Sequence, residues 1–157
     1  IESVREERKT VSVDMPALLE ELCEELRQSH PQRLIVLELQ TREAVSGDYQ
    51  ELRSAVSNLI INALKYSAEE QPVEVSWRSA EDALLLAVRD HGIGIEAQHL
   101  PRLTERFYRV DVSRSTRTGG TGLGLAIVKH VAAAHRAELS IDSEPGRGSC
   151  FTLRFPR

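Results

Sequence analysis

The run GGTGLGLAIVKHV, from Gly119 to Val131, constrains the fold of this chain more than any other feature, because glycines at 120, 122 and 124 lead straight into an apolar helical pattern. Glycine lets the backbone approach a bound group closely. A helix that follows aims its unpaired N–H groups and the positive end of its dipole at the same spot. Such a turn suits an anion such as a phosphate chain, although a flexible turn ahead of a core helix is spelled the same way. Three further segments stand upstream: NLIINALKYS (Asn58 to Ser67), DHGIGI (Asp90 to Ile95) and ERFYR (Glu105 to Arg109). Four such segments in this order and at this spacing are not a chance arrangement.

Hydrophobic periodicity sets out the elements around them. Thr10 to Val13 alternates like a short strand, and Pro16 opens a helix in which Leu18, Leu19, Leu22, Cys23 and Leu26 recur at helical spacing. His30 and Pro31 end that helix, and Arg33 to Leu39 is a strand candidate. Asp48 is placed to cap a second helix, whose apolar face is Leu52, Val56, Leu59, Ile60, Ala63 and Leu64. Pro72 to Trp77 and Ala83 to Val88 form a strand pair across the turn Ser79 to Asp82. Ile95 to Thr118 shows only a short helical pattern around Leu100 to Phe107, and a connection this long in a compact domain is expected to be a functional lid. The glycine run and its helix extend to about Ala134, and the strands Glu138 to Ser143 and Ser149 to Phe155 close the chain around the turn Glu144 to Arg147. The expected class is α/β, a two-layer sandwich of a mixed sheet of about five strands packed on about three helices.

A length of 157 residues fits one domain with a sizeable core. The net charge of −4 excludes bulk electrostatic attraction to nucleic acid or an anionic membrane, so a polyphosphate must be held by local positive groups. No apolar run reaches membrane-spanning length, and no signal-peptide pattern opens the chain. Cys23 and Cys150 have no metal-ligand spacing and read as buried thiols in a reducing compartment, which points to the cytoplasm; pairing between them stays open. An opening at Ile1 instead of Met suggests an excised fragment, with IESVREERK as a helix end or linker.

Asn58 and Asn62, four apart, stack on one helix face that Lys65 and Tyr66 extend by a turn. A carboxamide oxygen is a hard neutral ligand suited to Mg²⁺ when nucleotide phosphates supply the other ligands. Lysine neutralises phosphate, and a tyrosine ring offers its face to a base. The same asparagines equally suit a solvated face or local backbone capping. Asp90 ends the apolar run Leu84 to Val88, where a carboxylate accepts a hydrogen bond from an exocyclic amine such as that of adenine; Gly92 and Gly94 permit a sharp turn beside it. A plain Asp-x-Gly turn has the same spelling. The lid segment carries Arg102, Arg106, Arg109, Arg114 and Arg117, guanidinium groups suited to a γ-phosphate or to a solvated loop, with Phe107 and Tyr108 as anchors.

These four blocks resemble the N, G1, F and G2 boxes of the sensor histidine kinase catalytic domain, a branch of the ATP-binding superfamily shared with type II topoisomerases, mismatch-repair clamps and heat-shock chaperones. The resemblance spans Thr10 to Arg157, and the wording of LPRLTERFYRVDVSRS and GGTGLGLAIVKHV is most similar to phosphate-regulon sensor kinases. It implies a Bergerat-type site for ATP and Mg²⁺. Asn62 matches the magnesium ligand; Asn58, Lys65 and Tyr66 match positions lining the phosphates and adenine. Asp90 matches the adenine-reading aspartate, Gly92, Gly94 and Ile95 the G1 turn, and Phe107 the F box. Gly120, Thr121, Gly122, Leu123 and Gly124 match the G2 phosphate loop, and Asn58 and Arg109 are the implied catalytic positions.

Hydrolysing members of the superfamily hold a glutamate base four residues before the magnesium asparagine. Here that position is Asn58, which cannot take a proton as a carboxylate does. The resemblance therefore implies a kinase that donates the γ-phosphoryl to a histidine for relay to an aspartate of a response regulator; an ATP-driven clamp or chaperone, and a nucleotide-binding module without transfer activity, are the alternatives. Two departures stand out. The usual His-Gly-Gly after the G2 helix is His135-Arg136-Ala137, and no His-Glu-x-Arg-Thr-Pro phosphoacceptor pattern occurs, so His30, His91, His99, His130 and His135 take structural or solvent roles. The expected organisation is a remnant of the dimerisation helix and linker at 1–9 and a catalytic domain at 10–157 with its lid at 95–118. The phosphoacceptor domain, a response regulator and a homodimeric parent anchored in the inner membrane are the implied partners and setting; neither nucleic acid nor membrane insertion of this segment is expected.

Overall fold

The computed structural model describes residues 10–95, 97–103, 105 and 124–157. Strands β1 (Val11–Val13), β2 (Ile35–Leu39), β3 (Val45–Gly47), β4 (Val73–Ser79), β5 (Ala83–Asp90), β6 (Glu138–Glu144) and β7 (Gly148–Pro156) are joined by helices α1 (Met15–Ser29), α2 (Tyr49–Lys65) and α3 (Gly124–Ala134). A 3₁₀ turn covers Ala97–Arg102. The main sheet has the order β2-β4-β5-β7-β6, with β2 and β4 parallel and the other neighbours antiparallel. β1 and β3 form a separate antiparallel pair, Val11 opposite Gly47.

Alternation decides which sheet face is covered. Val73, Val75 and Trp77 of β4, Leu84, Leu86 and Val88 of β5, and Phe151, Leu153 and Phe155 of β7 are buried, while Glu74, Arg78 and Arg89 on the other face are exposed. Trp77 is sealed inside. Its ring meets Phe155 edge to face at 6.0 Å between centroids, and its indole N–H donates to the Glu43 carbonyl at 3.0 Å.

The helices start and stop where local chemistry directs. Asp14 caps α1 by accepting from the Ala17 N–H at 3.0 Å, and Asp48 caps α2 by accepting from that of Glu51 at 3.0 Å. Leu52, Ala55, Val56, Leu59, Ile60, Ala63 and Leu64 make the buried stripe of α2. At its C-terminus the Arg33 guanidinium donates to the Leu64 carbonyl and to Ser67 Oγ, each at 2.7 Å. α3 closes through Arg136, whose φ of 58° is the left-handed conformation that usually falls to glycine.

Three local expectations need correction. β3 lacks a sequence signal of its own, because three residues are too short for an alternation to register; pairing with β1 creates it. Where a helical pattern is expected around 100–107, residues Ala97–Arg102 form a 3₁₀ turn, with Pro101 unable to donate a helical hydrogen bond; residues 104, 106 and 107 lie outside the described region. Cys23 and Cys150 are free thiols as expected, the first buried with its pKa pushed up to about 11 by desolvation, but the second is only half-buried. No helix among the described residues is long and apolar enough to cross a membrane.

Candidate functional site

Asp90 is the centre of the site. It is the last residue of β5, and only 3% of it is exposed. Its Oδ1 accepts from the Gly92 N–H at 2.9 Å and the Ser149 N–H at 3.3 Å; among the described residues Oδ2 has no hydrogen-bond partner. Burial raises its pKa above the ordinary 3.8, opposed by those two N–H donors and by His91 and Arg89. A half-satisfied buried carboxylate with one oxygen left over is poised to accept from a ligand donor.

The turn after Asp90 is seated by contacts that only glycine permits. A Cβ on Gly92 would lie 1.8 Å from the Tyr66 carbonyl oxygen, which itself accepts from the Ile93 N–H at 3.3 Å. Gly94 has φ of 73°, and a Cβ there would stand 2.1 Å from the Glu144 carbonyl. The Ile95 N–H donates to Ser143 Oγ at 2.8 Å, and the Gly146 N–H to the Ile93 carbonyl at 2.8 Å. The 90–95 segment is thus tied to the end of α2 and to the β6–β7 hairpin.

α2 carries the second group of candidates. Asn58 Nδ2 donates to the Ser54 carbonyl at 2.8 Å, and its Oδ1 stands 3.0 Å from where a Cβ on Gly124 would be. The last glycine of the glycine run therefore lets the start of α3 close onto Asn58. Asn62 is half-buried, and its carboxamide has no hydrogen-bond partner among the described residues, which leaves its oxygen available as a ligand. Tyr66 is the half-buried C-cap of α2. Lys65 is exposed and borders a cavity of about 490 Å³ shared with Arg33, Ile61 and Leu64.

The structure therefore brings Asn58 to Gly124, and Tyr66 to the Gly92 turn that leads from Asp90 to Gly94 and Ile95. Phe107, Arg109, Gly120, Thr121, Gly122 and Leu123 lie outside the described residues, as do the other lid arginines except Arg102, which faces Glu105 at 3.2 Å. Sequence reasoning missed Ser149 and Ser143. Ser149 is the other buried polar residue among those described, and its Oγ lies 2.7 Å from Ser143 Oγ, which donates to the Gly148 carbonyl. A hydroxyl entering an otherwise apolar inward row, just after the turn Glu144 to Arg147, was the available signal.

A family model described as "Histidine kinase-, DNA gyrase B-, and HSP90-like ATPase" matches residues 47–157. The chain belongs to this family. Within the ATPase family it is 58% identical over 111 residues to the phosphate regulon sensor protein PhoR of Pseudomonas aeruginosa, covering 71% of this chain and 25% of that protein. Against PhoR of Haemophilus influenzae it is 47% identical over 119 residues, covering 76% and 28%. The chain spans about a quarter of the length of these curated relatives. Among solved structures it resembles the mycobacterial sensor histidine kinase MprB, with TM-score 0.83, 29% identity, and 94% and 97% of the two chains covered. It also resembles full-length ShkA in complex with AMPPNP, with TM-score 0.81, 26% identity, and 96% and 31% covered. The fold is that of histidine kinase ATPase domains, and the chain is an ATP-binding catalytic domain of the sensor histidine kinase type.

Proposed function

We propose that this domain binds Mg²⁺ and ATP and donates the γ-phosphoryl to a histidine of a separate dimerisation domain, for relay to an aspartate of a response regulator. The observation that carries this is Asp90, whose Oδ1 is held by two backbone donors while Oδ2 is left to accept from the exocyclic amine of adenine. Guanine presents an oxygen there, and two acceptors would face each other without a proton. Tyr66 lines the base beside Asp90, and Lys65, exposed at the end of α2, neutralises phosphate charge.

Asn62 fits the metal, since its carboxamide oxygen is uncommitted and matches the hard, water-rich coordination of Mg²⁺. When bound, the metal supplies charge neutralisation on the phosphates. Gly120, Thr121, Gly122, Leu123 and Gly124 supply backbone N–H groups to the same phosphates, with Ile95 and Phe107 closing the site and Arg109 offsetting charge that develops during transfer. In the transfer a P–N bond to the imidazole forms as the bond to the ADP oxygen breaks. Asn58 offers no base for water, its amide being committed to Ser54 and its oxygen packed at Gly124, which favours transfer over hydrolysis. The parent kinase is read as a homodimer anchored in the inner membrane, with this domain in the cytoplasm.

Incubation with γ-labelled ATP tests this. The domain alone should bind Mg·ATP without labelling itself: His30 bonds its helix end, His91 pairs with Glu74, and His135 is locked between helices. The dimerisation domain of the same parent, added in trans, should acquire an acid-labile, base-stable label. Self-labelling, or fast ATP turnover without a partner, would overturn the kinase reading in favour of a self-contained enzyme or clamp ATPase.

A further inference from the structure

His135 sits at the far end of α3 from the site, and its two ring nitrogens face groups of fixed polarity. Nδ1 lies 2.8 Å from the Val131 carbonyl, which only accepts, and Nε2 lies 3.0 Å from the Asp48 backbone N–H, which only donates. The ring must therefore be neutral with its proton on Nδ1. Its seat is Gly47, where a Cβ would come within 2.4 Å of the ring Cδ2 and 2.6 Å of Nε2. Two segments 87 residues apart are thus keyed to each other by one side chain.

The geometry makes this joint the counterpart of the one at the site. Asp48 caps the start of α2, and His135 follows the end of α3; Asn58 lies further along α2, against Gly124 at the start of α3. The two helices run antiparallel and touch at matched distances, about 15 Å along α2 and about 17 Å along α3 at the standard helical rise. A helix held at both ends has its axial position set; released at the distal end, it slides or tilts at the other.

We propose that His135 is a positioning residue for nucleotide binding: its neutral ring holds α3 in register on α2, so that Gly124 at the start of α3 meets Asn58. The inference rests on the assignment of that junction to the nucleotide, and it adds a determinant outside all four motif blocks. The joint is half-buried, so an N–H at Asp48 left without its acceptor carries a cost that makes the ring selective.

The test uses Mg·ATP titration of this chain, of two variants at His135 and of controls elsewhere. In His135→Gln the side-chain amide reaches about as far as Nε2 and restores an acceptor for Asp48; in His135→Asn it reaches only as far as Nδ1. His135→Asn should weaken Mg·ATP binding about ten-fold, with His135→Gln recovering most of that loss. His135→Asn and Asn58→Ala should also be non-additive in a double-mutant cycle. Leu19→Ala, on the buried face of α1, serves as a destabilised control and should bind normally while folded. Equal affinity of folded His135→Asn and wild type would overturn the proposal, as would losses that follow stability alone in all three variants. Should the variants not fold, long-range ¹⁵N–¹H spectra of the wild type decide: a proton on Nε2, or an Asp48 amide indifferent to nucleotide, sinks it. If the wild type itself fails to bind Mg·ATP, the assignment of the site falls instead.

Discussion

Asp90 illustrates a single residue tuned against the stability of its own domain. Burial raises its pKa, so the folded state holds the proton more tightly than the unfolded chain, and stability falls as pH rises above about 3.8 through the raised value. At neutral pH the empty domain carries a charge that its fold disfavours and its ligand uses. Asp90→Asn keeps an oxygen for the Gly92 and Ser149 donors but turns an amide towards the adenine amine. Affinity for ATP should drop by about 1–3 kcal/mol, with no loss of unfolding stability at pH 7, by calorimetry and urea titration of the same samples. Parallel losses in both would show a merely structural carboxylate. For the metal, Asn62→Ala should remove the Mg²⁺-dependent part of ATP binding while Asn58→Ala removes less. Calorimetry with and without Mg²⁺ reads the difference, and equal losses would mean that the two positions are misassigned.

At the scale of elements, the site is made of joints between segments, and the joints have little tolerance. The Gly92 turn rests directly on the C-cap of α2, with backbone on both sides. Gly92→Ala would put a methyl inside the Tyr66 carbonyl, which has no rotamer to yield; a loss of about 3 kcal/mol, the upper end of overpacking costs, is expected in urea midpoints together with lost ATP binding. The end of α3 offers the opposite case. Arg136 adopts a left-handed φ of 58° where glycine would be unstrained. Relief of that strain exceeds the extra freedom glycine gives the unfolded chain, so Arg136→Gly should stabilise the domain by about 1 kcal/mol with ATP affinity unchanged. A decrease in stability would mean that the arginine side chain contributes more than its backbone costs.

At the scale of the whole molecule, the last residue closes the core edge. Arg157 donates from Nη1 to Glu43 Oε1 at 2.5 Å and from Nη2 to Oε2 at 2.9 Å, and Glu43 in turn offers its carbonyl to Trp77. The Arg157 hydrogen bonds bring Glu43 down to about 2 from its ordinary 4.5, with Ser79 and Thr41 assisting. A depressed carboxyl stabilises the fold above its unfolded pKa and loses that contribution as pH falls from about 4.5 towards 2. Glu43→Gln should therefore flatten the acid limb of a stability profile followed by the fluorescence of Trp77, the only tryptophan. An unchanged slope would mean that the pair is solvated in solution. Ligand couples to the same global equilibrium: ATP at a hundred times its Kd should add about 2.7 kcal/mol of stability, and GTP at the same concentration much less.

Periodicity and motif spelling were enough to reveal three helices, most strands and the two-layer class, because apolar side chains at period 3.6 or 2 bury themselves wherever the partner surface comes from. They also singled out Asp90, Asn58, Asn62 and the glycine turns as candidates, because those residue types are unusual at those places in the pattern. Tertiary structure alone decided the rest. β3 exists because β1 pairs with it, and Gly92 is needed because Tyr66 arrives from a helix far back in the chain. Ser149 reaches Asp90 only because β7 lies beside β5. His135 acquires its role from Gly47 and Asp48, which no local pattern links to it. Contacts between distant segments depend on strand order and helix register, and those are properties of the packed whole.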